Sequence, residues 1–454
     1  MEATSPIPRL GRGVAARGRQ RSLATLARGT LGTGALAGLL ACGLLLAASA
    51  ASRQSTLLVP SAHGRFPRWL AGPLLGLGVP FGTVRWQLEV VGMALCYGLA
   101  LACLPGLGPR RVLAAIVGAH VIFALGPPLL SSDVFGYIDY ARLGVVHHLD
   151  PYTHDSLAAG HDPVFRFLGW HHAKSPYGPL FTLLSYALVP LGVVGGLWTL
   201  KALAAAFSLA TVALLWRAAR AVGRSPLAAA VLFGLNPVVL IFGVGGAHND
   251  TMLVALMAAA LLLALTGRWA SGAVTVVVGV GIKASAGLML PFLLLGARRR
   301  ARAALGAAVA SAALLVALAL IGFGSQAAGF LTAIRGQQGL VAVHSVPAQV
   351  GRLLGAPTLE PGVRTAFVVA FAVVVVLALW RTWAGADWVR AAGWTTLALL
   401  LSTAWLLPWY AIWLLPFTAL RSDRALRTAA LLFCAYALLT RLPFADPALS
   451  SGVL

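Results

Sequence analysis

Residues 112–144 read VLAAIVGAHVIFALGPPLLSSDVFGYIDYARLG, an apolar run over 112–130 that stops at Ser131-Ser132-Asp133. The run is close to the ~20 residues that cross a bilayer core. It therefore delivers a carboxylate to a membrane–water boundary. The rest of the chain has the same character. Of its 454 residues, 59% are hydrophobic and 10% are charged, against ~25% charged in soluble domains, and mean hydropathy is +0.86. A soluble protein this apolar could not clothe its surface, and a disordered chain would carry far more charge. The composition specifies an all-α, polytopic membrane protein.

The net charge of +22 comes from 34 Lys+Arg against 12 Asp+Glu. In so apolar a chain this is the positive-inside bias of cytoplasmic loop ends, and no nucleic-acid partner is expected. Cys42, Cys96, Cys103 and Cys434 lie singly in apolar runs and read as small buried hydrophobes.

Following that bias along the chain gives a topology. Residues 1–28, with Arg9, Arg12, Arg17, Arg19, Arg21 and Arg28, form a cytoplasmic basic tail, and 29–454 form one transmembrane domain. The apolar run at 30–51 is too long for a cleaved signal peptide. Spans are expected near 30–51, 86–105 and 112–130, and residues 131–177 then form a long external loop. The segment 178–196 is expected to lie along the outer face as one interfacial helix, so that 197–216 carries Arg217, Arg220 and Arg224 inward. Spans at 226–246 and 251–267 follow. The run 270–296 must break around Gly281–Ser285, because a single crossing would strand Arg298, Arg299, Arg300 and Arg302 outside. Further spans fall at 303–322, 363–381, 391–405, 409–420 and 427–442. They leave a second external loop at 323–362 and an outer C-terminus. The total is about thirteen transmembrane helices, within 11–15.

The polar residues are strongly uneven. Asp133, Asp139, Asp150, Asp155 and Asp162, five of the 12 acids, lie within 133–162, and six of the 10 histidines lie within 147–172. Asp133 suits either a general base or a helix cap, and Asp139 is expected to pair with Arg142 at i+3. Asp150-Pro151-Tyr152 is a turn with an aromatic platform, and Ser175-Pro176-Tyr177 closes the loop. Tyr152, Trp170, Tyr177 and the histidines of this loop are side chains of the kind that stack on sugar rings or anchor at the interface. The histidines show no HExxH or comparably tight ligand spacing. His248-Asn249-Asp250 forms an outer turn opening a span. Lys283, inside an apolar run, needs an anion, either a phosphate or Asp250. Arg335 and Arg352 in the second loop offer positive charge to an anionic head group.

These elements together resemble the GT-C superfamily of membrane glycosyltransferases, and within it the bacterial polyprenol-phosphomannose-dependent α-1,6-mannosyltransferases. The resemblance rests on SSDVFGYIDYARLG at 131–144, LDPY at 149–152, SPYGPLF at 175–181, GLNPVVLIFGVGGAHNDTML at 234–253, GIKASAGLMLP at 281–291 and WLLPWYAIWLLP at 405–416. It spans roughly residues 125–420, about two thirds of the chain. It implies a GT-C-like bundle with a catalytic first external loop, Asp133 as base, Asp250 as second acid and Lys283 as the cation of the broken helix pair. His248, Asn249, Asp150, Tyr152, Tyr177, Arg352 and Trp409 are then substrate-binding candidates. Where such enzymes usually read Asn-Pro-Tyr this chain has Asp150-Pro151-Tyr152, so the role of Asp150 stays open. The implied reaction is inverting transfer of mannose from a polyprenyl-phosphate-mannose donor to a glycolipid or mannan acceptor, on the extracytoplasmic side of the cell membrane, forming an α-1,6 linkage in cell-envelope glycan synthesis. A phosphate leaving group departs already charged and needs no general acid, but it does need cations. No cofactor is required, and a divalent metal is compatible. The alternatives are a secondary transporter, a lipid-linked-sugar flippase, or a related enzyme with an α-1,2 linkage or another sugar. The single asymmetric polar loop, without internal repeats, argues against a transporter.

Overall fold

The computed structural model describes residues 11–53, 66–356 and 359–442, with side chains from residue 26 onward. Residues 1–10 of the expected tail, 54–65 of the first outer segment and the C-terminal 443–454 lie outside the described residues. Among the described residues the regular structure is entirely helical.

The chain forms α1 (Gly11–Ala51), a single turn α2 (Arg68–Ala71), α3 (Thr83–Ala102) and α4 (Pro109–Leu125), with α1 packed against α3 and α4. The long loop follows, opening on α5 (Asp133–Val145). α6 (Pro179–Tyr186) and α7 (Gly192–Ala221) come next. Here one expectation fails: 178–196 is not one interfacial helix. Pro190 and the left-handed Gly192 (φ 67) break it, and a short turn at Val189–Leu191 feeds straight into the 30-residue α7.

α8 (Pro226–Gly234) and a π-helical stretch, Val239–Gly245, meet at a 64° bend. The cause is Asn236-Pro237, where the ring removes a backbone donor. Asn236 Oδ1 accepts the Val238 N–H (3.0 Å), and Tyr97 donates to the Leu232 carbonyl (2.8 Å), so the freed groups are satisfied inside the protein. α9 (Asp250–Leu265) and α10 (Trp269–Ile282) pack on each other at the centre. The expected break at Lys283 is present: Lys283 is extended (φ −154, ψ 128), and a 3₁₀ turn leads to α11 (Leu290–Ala297). α12 (Ala301–Phe323) follows. The second loop, expected as 323–362, contains α13 (Gly329–Gly339) and α14 (Val346–Leu353). Then come α15 (Pro361–Trp383), α16 (Trp388–Ser402), a 3₁₀ run at Pro408–Leu414 continuing as α17 (Leu415–Leu420), and α18 (Arg424–Leu439).

Four helical stretches, Leu26–Ala51, Val189–Ala221, Ala284–Gly339 and Pro361–Trp383, are each long and apolar enough to cross a membrane, and the bent pair α8 with Val239–Gly245 makes a fifth. α9 and α10 are apolar but shorter. The most apolar window of α15 buries none of its residues. That suits a helix whose surroundings are hydrocarbon rather than water.

Candidate active site

The loop is built around buried acids. Asp162 accepts from Arg142 Nε (2.9 Å to each oxygen), from the Val164 N–H (3.0 Å) and from His147 Nε2 (2.8 Å). Burial opposes its charge, but these bonds outweigh burial and hold its carboxyl below the usual range. Arg142 therefore does not pair with Asp139 as its i+3 spacing suggested; Asp162 takes it through a tighter, multiply bonded geometry. Asp139 instead accepts from the Ser156 hydroxyl (2.6 Å). Burial pushes the Asp139 carboxyl up to about 6, the Ser156 bond opposes this, and the charge of Asp162 adds to it. The folded loop thus holds a proton that the unfolded chain loses at its ordinary value of 3.8, so this contribution to stability is present below pH 3.8 and is lost as pH rises to about 6. Asp139→Asn is expected to flatten the pH dependence of thermal unfolding between about 4 and 6, removing a change worth about 3 kcal/mol. An unchanged slope would exclude Asp139 as its source.

The second half of the loop is clamped. Asp150 Oδ1 accepts the Tyr152 N–H (2.7 Å), and the buried Tyr152 hydroxyl donates to the Tyr177 carbonyl (3.0 Å) and bonds Thr182 Oγ1 (3.1 Å). Asp150 and Tyr152 therefore shape the loop. The Gly178 N–H donates to the Ile282 carbonyl (2.9 Å), and a Cβ at Gly178 would collide with the Gly281 carbonyl. Glycine lets the loop's closure press directly on the broken helix at Lys283.

Two segments bring the chemistry together. Asp133 opens α5, its N–H donating to Ser131 Oγ (3.1 Å), while Ser132 Oγ accepts the Gly169 N–H (3.1 Å) and ties the loop back. One turn on, the Tyr137 hydroxyl donates to Asn249 Oδ1 (3.3 Å) and accepts the Asn249 N–H (3.2 Å). This seats α5 on the turn before α9. His248 Nε2 lies 3.7 Å from Asp133 Oδ2. His248 Nδ1 is 2.7 Å from the Phe242 carbonyl, which can only accept, so Nδ1 carries the hydrogen and Nε2 of the neutral ring turns a lone pair toward Asp133. The ring stacks on Trp409 (centroids 3.7 Å, 24°).

Beside it, fully buried Asp250 accepts from Lys283 Nζ at 2.9 and 3.0 Å and from Trp413 Nε1 at 2.7 Å. The Lys283 ammonium also faces the rings of Tyr410 (4.5 Å) and Trp413 (5.4 Å). Asp133 keeps 13% of its side chain accessible and Lys283 15%. Arg441, beyond α18, brings a half-buried guanidinium into attractive range of Asp133. Among the described residues no three His, Cys, Asp or Glu side chains converge as metal ligands. Both Asp250 oxygens are already engaged, by Lys283 and Trp413.

Residues 27–299 match the family model described as alpha-(1->6)-mannopyranosyltransferase, N-terminal domain, and residues 343–449 match the MptB C-terminal domain. The chain belongs to the α-(1→6)-mannopyranosyltransferase family. This member is 31% identical to alpha-(1->6)-mannopyranosyltransferase A of Mycobacterium tuberculosis over 361 residues, 70% of this chain and 68% of the relative. It is 30% identical to the protein of the same name from Corynebacterium glutamicum over 265 residues, 52% and 53% of the two chains. No solved structure matches it. As a member of this family it is a membrane glycosyltransferase.

In this family member, Asp133, Tyr177, His248, Asn249, Asp250, Lys283 and Trp409 gather in one place, Tyr177 through its edge contact with Tyr137 (4.9 Å). Arg352 makes none of these contacts: it is exposed on α14 and donates to the Val343 carbonyl (2.6 Å). Arg335 is likewise exposed, on α13. Sequence reading missed Tyr137, Tyr410, Trp413 and Arg441. The signal for Tyr137 was available, since it lies four residues after Asp133 and so on the same helix face.

Proposed function

We propose that the chain transfers mannose from a polyprenyl-phosphate-mannose donor to a hydroxyl of a glycolipid or mannan acceptor, with inversion, forming an α-1,6 linkage. The observation that carries this is the division of labour between the two aspartates. Asp250 is neutralised by Lys283, whereas Asp133 is partly accessible and faces the lone pair of His248 across 3.7 Å. Asp133 takes the proton of the acceptor hydroxyl as the new bond forms. The donor's phosphate leaves with the bonding electrons on the opposite face of the sugar, held by Lys283, so a β-linked donor yields an α-mannoside. Asp250 fixes Lys283 in place, and Trp409, Tyr410 and Tyr177 supply ring surfaces.

An open, largely apolar groove lined by Leu184, Leu203, Phe207 and Met252 runs to Tyr137, His248 and Asn249. It receives the isoprenoid chain. Asn249 Nδ2, buried and without a partner among the described residues, lies at the polar end of this groove. The surrounding topology is GT-C-like, with about thirteen spans, a basic cytoplasmic tail and this site on the extracytoplasmic face.

The test is incubation of the full-length protein in membranes with labelled polyprenyl-phosphate-mannose and α-mannoside acceptors, followed by linkage analysis. A labelled α-1,6 product is expected. Donor hydrolysis without transfer, or vectorial movement of the lipid with no product, would overturn the reading.

A further inference from the structure

Lys201 is one of three lysines in the chain, and it is fully buried on α7 (0% exposed). Among the described residues it has no acidic partner. A cation in an apolar interior is costly unless backbone carbonyls or a counter-ion hold it. Its Nζ donates to the Gly245 carbonyl (2.8 Å) and the Pro127 carbonyl (3.3 Å). Those two residues head the two segments that form the site: Pro127 leads to Asp133, and Gly245 leads to His248 and Asp250.

The segments are also joined directly, because the Leu129 N–H donates to the same Gly245 carbonyl (3.1 Å). Just beyond this junction each strand enters a left-handed residue that is not glycine, Leu130 (φ 60) and Ala247 (φ 55). Such conformers cost ~1–3 kcal/mol each and persist only where the surroundings over-determine them. A Cβ on Gly245 would press on Leu129 and Phe123, so the junction has no slack in which to drift.

We propose that Lys201 is a positioning residue for mannosyl transfer: by gripping the Pro127 and Gly245 carbonyls it sets the separation of Asp133 and His248 at which the acceptor hydroxyl gives up its proton. This rests on the reading of Asp133 as base. Lys201 touches neither aspartate, and it acts on the reaction through the backbone alone. A methionine of similar length would pack in its place without burying a charge, so the variant is expected to fold.

The experiment compares wild type, Lys201→Met and Lys201→Gln as full-length protein, by transfer kinetics and by amide hydrogen exchange. Lys201→Met is expected to lower kcat about 10²-fold with donor KM near wild type, since a displacement of about 1 Å at the reacting centre costs that much. Lys201→Gln, keeping one donor, falls between. On an Asp133→Asn background Lys201→Met adds no further loss, because its effect runs through that carboxylate. Exchange accelerates in 126–133 and 243–250 and nowhere else, whether or not donor is present. Wild-type kcat in Lys201→Met, an undiminished loss on the Asp133→Asn background, or unaltered exchange overturns the proposal. If Lys201→Met does not fold, Lys201→Gln is judged by the same three readouts. A wild-type protein inactive toward the mannosyl lipid overturns the functional reading instead, and the exchange comparison still decides whether Lys201 holds the junction.

Discussion

Asp133→Asn is expected to lose about 10²–10⁴ of kcat, the range that a positioned general base supplies, with donor KM little changed. An amide is nearly isosteric, and the Ser131 contact is made by the backbone N–H of residue 133, so the helix start survives. What disappears is the capacity to take a proton. His248 is a poor replacement: its Nε2 could accept a proton, but the ring is fully buried against Trp409 and burial opposes its cationic form. Single-turnover transfer with labelled donor, alongside thermal unfolding of the same preparation, separates chemistry from folding. Retention of more than a tenth of wild-type kcat in a folded variant would remove Asp133 from the base role.

The second large effect is on stability. Lys283→Met leaves the Asp250 carboxylate fully buried, with Trp413 Nε1 as its one remaining donor among the described residues. Breaking a buried pair on one side costs about 3–5 kcal/mol, because the surviving charge is uncompensated. Removing both charges, as Asp250→Asn with Lys283→Met, is expected to recover most of that loss, since the asparagine oxygen can still accept from Trp413. Turnover is not expected to return, because on the proposed function Lys283 holds the donor's phosphate. Thermal unfolding in detergent reads the first effect and the transfer assay the second. Equal destabilisation by the single and double variants would show that Lys283 contributes through its contacts with Tyr410 and Trp413, and not through the charge pair.

Helix positions were legible only in part. The break at Lys283 was legible because a desolvated ammonium cannot sit unassisted in hydrocarbon; the bend at Asn236-Pro237 was not, 226–246 having been expected as one span although Pro237 carried the information. The boundary at Val189–Leu191 was misread because hydropathy runs evenly across 178–221, although Pro190 and Gly192 carried the information. Asp139 was assigned to Arg142 from helical spacing, yet Asp162, twenty residues from Arg142, competes better through several simultaneous bonds.

At the site, residues that contrast with their surroundings were found: Asp133, Asp250 and Lys283 are charges in an apolar chain, and Asp250 was one of two anions considered for Lys283. Tyr137, Tyr410 and Trp413 were not found, because an aromatic in an apolar run looks the same whether it fills space or orients a carboxylate. Lys201 offered the same contrast as Lys283. Its partners, however, are two carbonyls, which no side-chain pattern announces.

The backbone contact between Gly178 and the Gly281–Ile282 end of α10 has a consequence for the catalytic cycle. A loop pinned there, and again through the Tyr152 hydroxyl, cannot swing clear as a hinged cover without pulling on the helix that presents Lys283. Opening of such covers, on the μs–ms scale, is therefore mechanically linked to the Lys283–Asp250 pair. On the proposed function, a lipid donor enters through the open groove between the helices, where this loop need not move.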